Sequence, residues 1–148
     1  MASLVRSSSA ALTSHITDWR RVALVGVATI VTAVFANMLV YYLGHMTVGY
    51  DPQFTILADV GTTIFFTIIP ATVAVLLYAL LLRFARHPAR TFAITAVVVF
   101  VVTTIPDFTY IPTAPGATTG QTAVLVLMHT VAAAVIVGLL TRFARPAH

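Results

Sequence analysis

Three polar residues interrupt otherwise apolar stretches of this chain: Asn37 in "TAVFANMLVYYL", Asp107 in "TTIPDFTYIP" and His129 in "TAVLVLMHTVAAAV". The chemistry such a set can do is acid–base. A buried carboxylate next to an imidazole can hold a proton pair whose affinities are altered by burial and mutual attraction. Both groups are general acid–base candidates once a substrate proton lies within hydrogen-bond reach. Asp107 and His129 are therefore the candidate catalytic pair. Asn37 and Tyr110 suit orienting a carbonyl, hydroxyl or epoxide oxygen, and Tyr41, His45 and Asp59 sit near the same rim as further ligand-binding candidates.

Each residue also has a structural role open to it. Asp107 follows a proline and can cap the end of a short helix. Asp59 precedes "VGTT" and suits the N-cap of the helix that follows, accepting from Thr62 or an adjacent amide. Asn37 can glue two helices together, and a neutral His129 can bond a nearby carbonyl or threonine. Metal binding finds little support, because no two histidines lie at i, i+3 or i+4. No metal and no cofactor is expected; bis-His haem needs two histidines at one depth, and His45 and His129 differ. No glycine-rich phosphate loop or nucleophile elbow occurs.

The elements that must position these residues are membrane helices. The chain has 148 residues, 59% hydrophobic and 8% charged, where a soluble domain has about a quarter charged. A bilayer core of about 30 Å needs roughly 20 apolar residues of helix. Spans are expected at 22–43, 60–82, 91–111 and 122–140. The third rests on an apolar run that is short on its own and reaches full length only through "PDFTYI". Its "AVVVFVV" resembles a strand, but an open sheet edge finds no partners in lipid. The expected fold is an all-α membrane protein, an up-down-up-down four-helix bundle forming one domain over 20–145. Residues 1–19 are expected to be flexible or interfacial, with Trp19 as an interfacial anchor and no cleaved signal peptide.

All eight basic residues are Arg, and there is no Lys, Glu or Cys. The missing cysteine excludes disulfides, thiolate metal sites and thiol catalysis. The arginines precede the first span, join the second to the third and follow the fourth, while Asp51, Asp59 and Asp107 fall on the opposite side. The positive-inside bias places both termini and the middle loop in the cytoplasm of a multi-pass plasma-membrane protein. A pI near 10 raises the question of nucleic acid, but the arginines flank apolar spans and form no dense basic stretch. "RFAR" occurs at Arg83–Arg86 and again at Arg142–Arg145, each followed by a proline read as helix-stopping. Spans one and three show little matching similarity, so duplication is not needed.

At about 1.5 Å per residue, Asn37 lies roughly 9 Å, His129 roughly 10 Å and Asp107 about 6 Å below the outer surface. Stripes of small or hydroxylated residues accompany them: Thr29 and Ala33 before Asn37, Thr63, Thr67, Ala71 and Ala74 on the second span. If these stripes meet, they bound a polar pocket opening outward or sideways into the outer leaflet. Pro70 and Pro106 are expected to loosen their helices around it. The segment "FTIL" in the first outer loop can dip into the interface.

With "PDFTYIPTAPG", "HTVAAAVIVGLL" and the Arg-rich ends in view, the chain resembles a family of small, uncharacterised four-helix membrane proteins, mainly actinobacterial, over about Arg20 to Arg145. The resemblance implies a four-span fold and no particular activity. Three functions compete. The first is binding or transformation of a lipophilic small molecule by acid–base chemistry, as in a cofactor-free isomerase, cyclase or hydrolase. The second is an accessory or assembly subunit of a larger membrane complex. The third, an oligomeric proton-coupled transporter, should carry polar residues into the cytoplasmic half, which is nearly all apolar. Expected partners are membrane lipid, a lipophilic ligand, and a homo-oligomer or membrane complex.

Overall fold

The structure is a computed structural model and describes residues 19–144. The expected flexible or interfacial stretch 1–19 lies, apart from Trp19, outside the described residues. Its elements are α1 (Trp19–Val48), a single turn α2 (Thr55–Ala58), α3 (Val60–Phe84), α4 (Pro88–Thr109), a 3-10 turn (Ile111–Thr113) and α5 (Thr119–Phe143). No strand occurs among the described residues. The four long helices are each long and apolar enough to cross a membrane.

Local chemistry sets the helix ends. α1 stops where Gly49 takes a φ of 70° and its N–H reaches back to the His45 carbonyl. Asp59 caps α3, its Oδ2 accepting from Thr62 N at 3.3 Å, as expected from its place before "VGTT". α5 opens on a capping box that sequence reading missed. Thr118 accepts from Gln121 N at 3.3 Å while Gln121 Oε1 accepts from Thr118 N at 3.0 Å. The Thr-x-x-Gln spacing was a usable signal. Pro88 corrects the reading of the proline after the first "RFAR" as a stop. It occupies the first turn of α4, where a missing N–H costs nothing. α3 and α4 continue through Pro70 and Pro106.

α1 packs against α3 and α5, and α4 packs against α5 and α3. Contact is closest where side chains are small. A Cβ on Gly26 would meet Val75 Cγ1 at 2.6 Å, and one on Gly44 would meet Val124 at 2.9 Å. Large apolar side chains cover the outside of every long helix, among them Leu24, Phe66, Val97 and Leu127. Such a surface is consistent with lipid contact.

The interior divides into two apolar clusters. One gathers Ala33, Ala71, Tyr78, Phe92, Ile136, Leu140 and Ala144; the other gathers Tyr41, Phe54, Leu57, Ile111, Val124, Leu125 and Met128. The second is a plug. Phe54 and Leu57, from the loop expected to dip into the interface, are each only 1% exposed. Tyr41 donates its hydroxyl to the Leu57 carbonyl at 3.1 Å, and Tyr50 donates to the Tyr41 carbonyl at 2.6 Å.

Tyr50 lies outside the long helices, and its phenol is pushed up to about 12 by burial and then by Tyr41 beside it. A phenol raised above its ordinary value of 10.0 contributes stability fully below that value and loses it as pH rises toward 12. Ultraviolet titration of wild type against Tyr50→Phe should therefore show the difference band emerging near pH 12. A difference band complete by pH 10 would contradict the packing of this loop.

Candidate functional site

On each long helix one or two polar residues fall beside or between the two apolar clusters, apart from Thr29 and Gln121. On α1, Asn37 stands between Ala33 and Tyr41. On α3, Thr63 and Thr67 precede Ala71, and on α4, Thr104 and Asp107 stand between Phe92 and Ile111. On α5, His129 stands between Met128 and Ile136. Asn37, Thr63, Thr67, Thr104 and Asp107 are all at least nine-tenths buried. The result is a polar layer between two greasy ones.

Hydrogen-bond direction within the layer can be worked out atom by atom. The Thr67 hydroxyl donates its single hydrogen to the Thr63 carbonyl at 2.8 Å. It can then only accept from Asn37, which fixes the Asn37 amide with Nδ2 toward Thr67 at 3.0 Å. Asn37 Oδ1 consequently points elsewhere, buried and without a partner, and Thr63 Oγ1 is also unpartnered. Most other threonines here, such as Thr29 and Thr104, bond the carbonyl four residues back and ask nothing of neighbouring helices.

Asp107 and His129 come together as expected. His129 Nδ1 lies 3.1 Å from Asp107 Oδ2 and 3.0 Å from the Leu125 carbonyl. The ring nitrogen is aligned with the carbonyl, so the carboxylate makes a close charge contact but not a directed hydrogen bond. With an acceptor on each side, Nδ1 must carry the hydrogen. Nε2 is then the atom free to exchange a proton. The two side chains differ sharply in access, His129 being 39% exposed and Asp107 6%. Asp107 thus lies inside the bundle while the His129 side chain is part-exposed.

The remaining candidates lie apart from this pair. Tyr41 and Asp59 are committed to the plug and to the α3 cap. His45 is exposed, its ring 5.1 Å from that of Tyr50. Tyr110 is the C-cap of α4, where the helix gives way to the 3-10 turn, and is 68% exposed. It does not share the interior with Asp107. Nor is there an open mouth at the plugged end: Tyr41, Phe54, Leu57 and Ile111 fill it. Space lies beside this plug, where α4, the loop after it and the start of α5 meet; neither Asp107 nor His129 lines it. A cavity of about 480 Å³ runs between α4 and α5, bounded by Phe108, Pro112, Thr118, Thr122, Ala123 and Val126. Thr122, Val126 and His129 follow one another at four and three residues, so they share a face of α5. Among the described residues no group of three or more His, Cys, Asp or Glu could hold a metal ion.

An all-helical fold with four potential spans and a buried aspartate against a part-exposed histidine defines the class. The chain belongs to a family of unknown function, DUF6069, which it matches over residues 17–146. No curated protein and no solved structure shows a significant match.

Proposed function

We propose that this is a multi-pass protein of the cell membrane, an up-down-up-down bundle with both termini in the cytoplasm, that binds a lipophilic small molecule at Asp107 and His129. The contacts between helices support the topology. Arg21 on α1 meets Phe143 on α5, and Gly44 lies against Val124, so numbering rises on one helix as it falls on the other. The same holds for Gly26 with Val75 and Asn37 with Thr67. Tyr78 meets Phe92, and counting away from that contact along antiparallel helices brings Thr63 level with Asp107. The arginines support the orientation.

One observation carries the functional reading: a carboxylate buried in the bundle lies 3.1 Å from an imidazole whose side chain is 39% exposed. Buried ionisable groups in a membrane are costly and tend to mark function. A ligand arriving from the hydrocarbon reaches the part-exposed imidazole before the buried carboxylate. Nε2 can take a proton from an acidic C–H or O–H of that ligand and return it to another atom, while Asp107 steadies the positive ring between the two steps. That is the chemistry of an isomerase, cyclase or hydrolase that needs no cofactor.

The test is retention. Full-length protein taken from its own membranes in mild detergent should carry a lipophilic species, visible by native mass spectrometry and solvent extraction. His129→Gln should carry at least tenfold less at unchanged helix content. Identical extracts from both proteins would sink the proposal and leave the pair as helix glue, favouring an accessory subunit.

A further inference from the structure

A second site lies at the other end of the bundle, in the seam between α1 and α5. A groove of about 250 Å³ runs there, bounded by Thr32 on α1 and by Ala134, Gly138, Leu139, Arg142 and Phe143 on α5. Gly138 keeps it open. A Cβ built there would meet nothing within 4 Å, unlike those at Gly26 and Gly44, which serve close packing. No neighbouring helix therefore requires a glycine here, although glycine in a helix interior is disfavoured by about 1 kcal/mol. From Ala134 to Arg142 the groove follows α5 for about 12 Å at the rise of an α-helix.

The two ends of the groove differ in chemistry. Its length is apolar, with Val135 and Leu139 as walls, and it finishes at the exposed guanidinium of Arg142. Arg21 is brought to the same end, its Nε donating to the Phe143 carbonyl at 3.1 Å. Asp51, Asp59 and Asp107 belong to the polar layer or the loops beyond it, so among the described residues no acid faces this end. A guanidinium above an apolar trough matches a molecule with an anionic oxygen head and a slender hydrocarbon tail.

We infer that the α1–α5 groove binds one anionic phospholipid of the leaflet at the arginine-bearing end, with its phosphate on Arg142 and one acyl chain along Gly138. This lipid is a resident of the fold, held apart from the Asp107–His129 site and independent of what that site does. It also gives α1 and α5 a fixed lipid partner where their ends are tied by Arg21.

The experiment uses full-length protein in nanodiscs containing equal phosphatidylglycerol and phosphatidylcholine, released into detergent and read by native mass spectrometry. Wild type should retain one phosphatidylglycerol in preference to phosphatidylcholine. Arg142→Gln should lower that preference about fivefold, the effect of one basic residue near an anionic surface. Gly138→Leu should fill the trough and lower retention of both lipids, while Gly138→Ala, which leaves most of the space, should retain them. Circular dichroism and size exclusion establish that each variant is folded. Loss with Arg142→Gln alone would mean diffuse attraction at the surface and overturn the site. Loss with Gly138→Leu alone would overturn the anionic head group, and no loss with either would overturn the inference outright.

Discussion

Phe92→Ala should destabilise the bundle by up to about 3–5 kcal/mol, the range for emptying a buried aromatic position in a core folded from water. Phe92 and Tyr78 are almost wholly buried and meet edge to face, with ring centroids 5.0 Å apart. Their contact ties α4 to α3, and around them lie Ala71, Ile136 and Leu140. In lipid the gain from such a core is close packing, since hydrocarbon outside solvates a phenyl ring as well as the interior does. A cavity therefore costs its full complement of lost contacts. Phe108→Ala is the matched control, because that ring sits later on the same helix and is 66% exposed. It should change stability by no more than about 0.5 kcal/mol. Equal effects of the two variants on a denaturant transition in mixed micelles would mean that the interior is not where the structure puts it.

Those two phenylalanines also mark what the sequence could and could not reveal. The four spans were legible because their apolar runs are long. The third was legible only by reading past Pro106, and α4 does continue to Thr109. The exposed and buried sides of each helix were much harder to separate, since lipid-facing and core-facing positions here are equally apolar. Phe92 and Phe108 look alike in sequence and differ in everything else. Small residues gave the better guide: Thr29, Ala33 and Asn37 form a buried stripe on α1, as do Thr63, Thr67 and Ala71 on α3.

The polar layer was legible for a related reason. A carboxylate, an amide and an imidazole inside apolar spans stand out, and their similar depths suggested that they meet. What depth could not supply was where the helix stops. Tyr110, three residues past Asp107, shares its face only on a continuing helix; α4 closes there and Tyr110 is exposed. The loop plug was harder still. Phe54 and Leu57 reach the core through the turn of α2, a tertiary event with only a faint local signal in "FTIL". Because that plug fills the bundle end, the proposed access runs through the part-exposed His129 side chain.

The largest electrostatic effect should come from breaking the Asp107–His129 pair on one side only. His129→Leu leaves the Asp107 carboxyl nine-tenths buried with its neighbouring ring nitrogen gone. Removing one partner of a buried pair costs up to about 3–5 kcal/mol, most of it the penalty of the group left behind. The half-exposed His129 should place the measured value toward the lower end, since its contact is partly screened. Asp107→Leu removes the group that is hardest to bury and leaves an imidazole still bonded to Leu125, so it should be the milder of the two. The double variant, apolar on both helices, should recover most of the loss from His129→Leu, as buried ion pairs replaced whole by hydrocarbon often do. The double-mutant cycle in micelles then gives a coupling well above the few tenths of a kcal/mol seen for independent sites. Additive effects would mean that the two side chains do not meet. Recovery of stability without recovery of ligand retention would separate what the pair does for the fold from what it does for the ligand.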